Sequence, residues 1–366
     1  MLLRDYQQDA VEPAWERLKK STLPLLMTLC TGAGKSYCLA ALAHRIYSLT
    51  GKRVLVTAPS AEIVMQNAAK YIETGERASI FSASAGEKCV RFPVVFGSPL
   101  SIKNSIELFT TGDYGAIFVD ECHLWGATLT GIVDAMTEAN PNLRLLGCTA
   151  TPFKLGKGYI YLENHEGKSL PSSLARDPVF AKEICNVGAG QLIDMGFLSP
   201  VVVGKSGTKT YDTTGLKTNS MGQYTADSVS EAFIGHGRLT SDIVADVLAQ
   251  SSDRNLVMFF ASTIQHAEEI AASLPIDGTH IITGKTPKKD RSEIIRISRE
   301  GGVKYLVSVG ALTTGTDIPI ADVCAVLRAT ESPGLFIQVV GRVLRIHKPL
   351  TEVYERAMAE EKETVY

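Results

Sequence analysis

Leu29-Cys30-Thr31-Gly32-Ala33-Gly34-Lys35-Ser36 follows an apolar run, Leu25 to Leu29, and opens a helical pattern carried on by Leu39, Leu42, Ala43 and Ile46. A buried strand, a glycine-rich turn and a helix in that order make a setting for phosphate. The glycines let backbone N–H groups curl around anionic oxygens, and the helix N-terminus adds partial positive charge. Lys35 can reach the β- and γ-phosphates, and the Ser36 hydroxyl can hold Mg²⁺. The general pattern has a glycine where this chain has Leu29, so an ordinary strand-to-helix turn stays open on this stretch alone.

Outward from that loop, the chain alternates. Extended runs at Arg53 to Ala58, Val94 to Phe96, Ala116 to Val119 and Leu143 to Cys148 are separated by helical patterns at Ala61 to Tyr71, Pro99 to Phe109 and Leu129 to Ala139. This rhythm predicts a parallel sheet flanked by helices, with working loops at the C-terminal strand ends. Between Phe153 and Ser199 the rhythm breaks, and Lys154 to Lys168 reads as an excursion. The stretch from Lys205 to Gln223 is dense in Gly, Ser, Thr and Lys and reads as a linker or surface loop. Alternation then resumes from Ser228 to Val343. The fold expected is α/β, with two tandem domains over residues 1–196 and 197–366.

At 366 residues the chain is comfortable for two cores. A net charge of −2 argues against a surface coated for nucleic acid, but not against a local basic groove. Seven cysteines without a CxxC pair suit reduced, buried thiols. The N-terminal residues are too polar for a signal peptide and no apolar run is long enough to span a membrane. A soluble, cytoplasmic protein with no membrane contact is expected, and a monomer.

A second constellation follows the extended run Ala116 to Val119: Asp120-Glu121-Cys122-His123. An Asp at a strand end can hold Mg²⁺ through water, and the adjacent Glu can orient or deprotonate a water that attacks the γ-phosphate. Two carboxylates after a strand can also be a plain surface loop; the phosphate loop upstream favours the catalytic reading.

Taken in order, Thr31 to Ser36, Asp120 to His123, Thr149-Ala150-Thr151-Pro152 and Gln338-Val339-Val340-Gly341-Arg342-Val343-Leu344-Arg345 resemble motifs I, II, III and VI of superfamily 2 helicases. The resemblance is to the DExH/DEAH branch, which holds DNA repair and recombination helicases and restriction-enzyme motor subunits. Gln338, Gly341, Arg342 and Arg345 alone would recur by chance about twice in a thousand chains of this length, with each residue at ~5%.

The resemblance implies two RecA-like domains, ATP as the nucleotide and Mg²⁺ as the metal. It implies a nucleotide site of Thr31, Gly32, Ala33, Gly34, Lys35 and Ser36, with Arg4 and Gln7 at the adenine and Gly315 and Asp317 at the ribose. Ser36 and Asp120 would serve the metal, and Glu121, Asp120, His123, Gln338, Arg342 and Arg345 the chemistry. The two arginines of the second domain would neutralise charge on the transferring phosphoryl group. Nucleic acid would be gripped by Pro59, Ser60, Gln66, Gly97, Ser98, Gly284, Thr313 and Thr314. Thr149 and Thr151 would join that grip to the nucleotide site. The expected activity is that of an ATP-dependent helicase on DNA in preference to RNA. A double-strand translocase, an RNA helicase and a slow ATP-gated clamp are the rivals.

Overall fold

The computed structural model of the chain describes residues 3–204, 209–220, 222–310, 318–330 and 332–346. The chain divides into two compact units, Met1–Gln191 and one from Leu192 onward.

The first unit opens with α1 (Asp5–Lys20), β1 (Leu25–Leu29), α2 (Lys35–Thr50), β2 (Arg53–Thr57), α3 (Ala61–Ile72), β3 (Ala78–Ser82), β4 (Glu87–Lys88), β5 (Val94–Gly97) and α4 (Pro99–Lys103). It continues with β6 (Tyr114–Asp120), α5 (Ala127–Ala139), β7 (Arg144–Thr149), β8 (Phe153–Lys154), β9 (Gly158–Tyr159), β10 (Tyr161–Glu163), β11 (Phe180–Val187) and α6 (Ala189–Asp194). One sheet of nine strands runs β10-β11-β1-β7-β6-β2-β5-β3-β4, with β4 antiparallel to β3 and every other neighbour parallel. All five residues of β1 are buried, as a strand covered on both faces requires. In register, Thr28 of β1 lies opposite Thr149 of β7, and Asp120 of β6 opposite Cys148. The phosphate loop, the Asp-Glu pair and Thr149 therefore leave the sheet at one edge.

The element that breaks the expected rhythm is β11. It lies in the stretch read as irregular, yet it pairs with β1 along the strand's whole length. Its polar residue Glu183 is 1% exposed, and the carboxylate accepts from the Thr28 hydroxyl at 2.6 Å and the Asn186 amide at 3.3 Å, with His165 Nδ1 at 2.9 Å. A buried charge that is fully hydrogen-bonded is tolerated where a lone one is not.

The second unit holds α7 (Ala226–Phe233), α8 (Gly237–Gln250), β12 (Leu256–Ala261), α9 (Ile264–Ala272), β13 (Thr279–Thr283), α10 (Lys288–Arg299), β14 (Tyr305–Val309), β15 (Ala321–Leu327) and α11 (Pro333–Val340). Its sheet is parallel, in the order β13-β14-β12-β15, and β12 is buried throughout. Within the stretch read as a linker, Tyr211 is tied down in this unit. The Tyr211 hydroxyl donates to Thr240 and meets His266 Nε2, both at 2.9 Å. No helix of the described residues is long and apolar enough to cross a membrane.

Candidate functional site

The phosphate loop takes the conformation its glycines permit. Gly32 and Gly34 have φ of 89° and 79°, in the left-handed region. A Cβ on Gly34 would also stand 2.4 Å from Gln7 Nε2, so α1 closes directly over the loop. The Gln7 amide and the Tyr6 hydroxyl donate to the Ala33 carbonyl at 3.0 and 3.1 Å, while Gln7 Oε1 accepts from the Arg4 N–H. Gln7 is thus buried on the loop itself. Arg4 is exposed beside it.

At the end of β6, Glu121 is the one non-glycine residue with positive φ among those described, at 50°. Such backbone costs on the order of 1 kcal/mol and marks a side chain held for a purpose. Glu121 Oε1 lies 3.5 Å from Lys35 Nζ, and Oε2 lies 3.4 Å from His123 Nδ1. Oε2 is buried without a hydrogen-bond donor, the acceptor that an attacking water would find. His123 Nδ1 also meets Thr149 Oγ1 at 2.9 Å, and that oxygen accepts from the Thr151 N–H at 3.0 Å. Burial lowers the pKa of His123 below the usual histidine value. Burial and the adjacent Glu121 push Asp120 up to about 6. Carboxylate crowding of this sort is relieved by a cation.

Two neighbouring residues of α3 reach the expected metal donors. Gln66 Nε2 donates to Ser36 Oγ at 3.3 Å, and Asn67 Nδ2 donates to Asp120 Oδ2 at 2.8 Å. One helix thus supplies a hydrogen-bond donor to the hydroxyl and another to the carboxylate. Hard oxygen donors and a crowded carboxylate fit magnesium.

The residues expected at a nucleic-acid face differ in exposure. Thr149 and Thr151 are 0% and 3% exposed and join His123 to the end of β7, so they suit a linking role and not a direct grip. Gln66 is engaged by Ser36. Gly97 is buried, and a Cβ there would meet Ile102 at 3.0 Å and the Phe81 carbonyl at 3.1 Å; close packing accounts for that glycine. Pro59 and Gly284 are exposed, and Ser60 and Ser98 are half-buried. The Ser60 hydroxyl caps α3 through the Ile63 N–H. A cleft of about 250 Å³ is lined by Pro59, Pro99, Leu124 and Thr128 together with Asp120 and Glu121. In the second unit Gln338 is buried in α11, and Arg342 and Arg345 follow that helix, half-buried. Burial pulls Arg345 below the usual guanidinium range. Thr313, Thr314, Gly315 and Asp317 lie outside the described residues. Asn67 was not foreseen. The signal available was an Asn inside a helix, an unfavourable choice unless its amide has a partner.

A phosphate loop and a strand-end Asp-Glu pair on a parallel sheet, followed by a second parallel α/β unit, define a nucleotide hydrolase of RecA-like build. Residues 1–154 match the family described as type III restriction enzyme, res subunit, and residues 240–347 match the helicase conserved C-terminal domain. IRC3 of Saccharomyces cerevisiae, named as a candidate ATP-dependent helicase, is 23% identical over 365 residues, covering 94% of this chain and 50% of that protein. The DNA 3'-5' translocase XPB2 of Sulfurisphaera tokodaii is 23% identical over 376 residues, covering 94% of this chain and 78% of its own. In structure, a candidate HsdR subunit of a type I restriction enzyme from Vibrio vulnificus YJ016 is similar with a TM-score of 0.70 at 20% identity, over 96% of this chain and 62% of that one. Together these matches support a superfamily 2 helicase related to restriction-enzyme motor subunits. The chain spans half the length of its yeast relative.

Proposed function

We propose that this chain is the motor of an ATP-driven helicase or translocase acting on DNA. The observation that carries the reading is the shared cleft. Asp120 and Glu121 line it together with Pro59 and Pro99, so the hydrolytic carboxylates and the turns after two strands share one space. DNA is favoured because one relative is named a DNA 3'-5' translocase.

In this reading Lys35 and the α2 N-terminus bind the phosphates of ATP. Ser36 and Asp120 would hold a magnesium ion, which neutralises phosphate charge. Once Lys35 has phosphate oxygens to pair with, Glu121 is left to accept a proton from the water that attacks the γ-phosphorus. His123 stands beside the Glu121 carboxylate and is itself hydrogen-bonded to Thr149, which ties that corner to the end of β7. Arg342 and Arg345 neutralise the charge that develops on the transferring group. Gln7 reports on the loop through Ala33, so its response to the base passes through the phosphate cradle.

The test is ATP hydrolysis followed while matched DNA and RNA oligonucleotides, single- and double-stranded, are titrated at two salt concentrations. DNA should accelerate turnover more than RNA, with few backbone contacts, Z of roughly 3 to 6 phosphates, setting the salt slope. Stimulation by RNA alone overturns the DNA assignment. Absence of stimulation by any of them leaves a nucleotide-gated clamp.

A further inference from the structure

The α3 helix touches both halves of the proposed function. Its capping residue Ser60 follows the exposed Pro59 at the cleft, and six residues further on, about 9 Å along the axis, it presents Gln66 and Asn67. Gln66 holds Ser36, and Asn67 holds Asp120. Asn67 is fully buried, and its own carbonyl oxygen has no hydrogen-bond partner. An Asn in a helix interior costs more than Leu or Ala would, and its buried, unpaired oxygen adds to the cost, so packing does not explain it. The other Asp120 oxygen accepts from the Glu121 N–H at 2.9 Å. Asn67 therefore sets the rotation of the carboxylate next to the residue that handles the water.

We propose that Gln66 and Asn67 are positioning residues that carry a displacement of the α3 N-terminus, produced by a nucleic-acid backbone in the cleft, to the two metal-holding side chains Ser36 and Asp120. The proposal rests on the strand-binding reading above. A helix moves as a rod, so a small shift at Ser60 is felt at both amides, and each amide has one oxygen to move. Without the strand, Ser36 and Asp120 hold the metal weakly; with it, both are aligned.

The experiment compares the wild-type chain with Gln66→Ala, Asn67→Ala and Asn67→Ser, the last keeping a hydrogen-bonding group beside Asp120. Three quantities are read: thermal melting, the magnesium concentration that half-completes the melting shift produced by ADP, and the ratio of ATPase rates with and without the most effective DNA. Gln66→Ala and Asn67→Ala should raise the half-effective magnesium concentration roughly tenfold, in keeping with losses of outer-shell partners. Their stimulation ratio should fall by at least about fivefold. Asn67→Ser should recover part of both, which a packing defect would not do. Unchanged magnesium demand and an unchanged stimulation ratio in folded variants overturn the proposal. If Asn67→Ala does not fold, Gln66→Ala decides, because that side chain is half-exposed. A wild-type chain that no nucleic acid stimulates overturns the strand-binding reading, and the coupling with it, so the two failures are told apart.

Discussion

Glu121 and Lys35 occupy one corner, 3.5 Å apart, yet substituting them should have opposite signatures. Lys35→Ala should abolish tight nucleotide binding, measured by the melting shift with ADP. Glu121→Gln should bind ATP as before and lose about 10²- to 10⁴-fold in turnover, the range for removal of a positioned base. Near-normal turnover in Glu121→Gln would remove the carboxylate from the mechanism. His266 gives a second residue-scale prediction. It is fully buried beside Tyr211, Phe233 and the Ser262 N–H, with Glu269 and His236 near, and burial pushes its pKa down to about 4. The folded ring stays neutral where the unfolded ring takes a proton. Its contribution is therefore complete above about pH 6.5 and declines as pH falls towards 4, by at most on the order of 3 kcal/mol. Melting temperature against pH should show that loss between pH 6.5 and 4, and a His266→Phe variant should flatten it. The nucleotide-site residues could be read in the sequence because glycine, lysine and paired carboxylates are chemically singular. Asn67 could not, since its meaning depends on Asp120, 53 positions away.

At the scale of elements, the alternation expected from Ser228 to Val343 is met by the helices α7 to α11 and the strands β12 to β15, since each carries its own apolar face. The strand β11 was hidden because Lys182, Glu183 and Asn186 break the pattern of a buried strand. Glu183 is admitted to the interior by Thr28, His165 and Asn186, partners scattered over the sequence. Glu183→Ala would leave those groups without their acceptor and should cost about 2 to 3 kcal/mol. Glu183→Gln should recover part of this, because its carbonyl still accepts from Thr28. Denaturant melts of both variants provide the check, and equal stability of Glu183→Ala and wild type would mean that water replaces the carboxylate. At Gly97, expected at the nucleic-acid face from the resemblance, the structure adds a packing reason for the glycine, with Ile102 and the Phe81 carbonyl against it.

For the whole molecule, the prediction concerns division of labour. Arg342→Ala or Arg345→Ala should leave ATP binding intact while turnover falls by on the order of a thousandfold. The first unit expressed alone should bind nucleotide with the same defect; turnover equal to that of the full chain would show that the first unit needs no cation from the second. The topology of the first unit has a different consequence, for the protein while it is being made. The strand β1 lies between β7 and β11, which come about 120 and 155 residues later in the chain. At roughly 5 to 20 residues per second on a ribosome, Leu25 to Leu29 wait about 8 to 30 seconds for their last neighbour. Until β7 is made, about 6 to 24 seconds at the same rate, an apolar strand leading into the phosphate loop has no sheet to join, and it is a natural substrate for a chaperone that binds nascent chains.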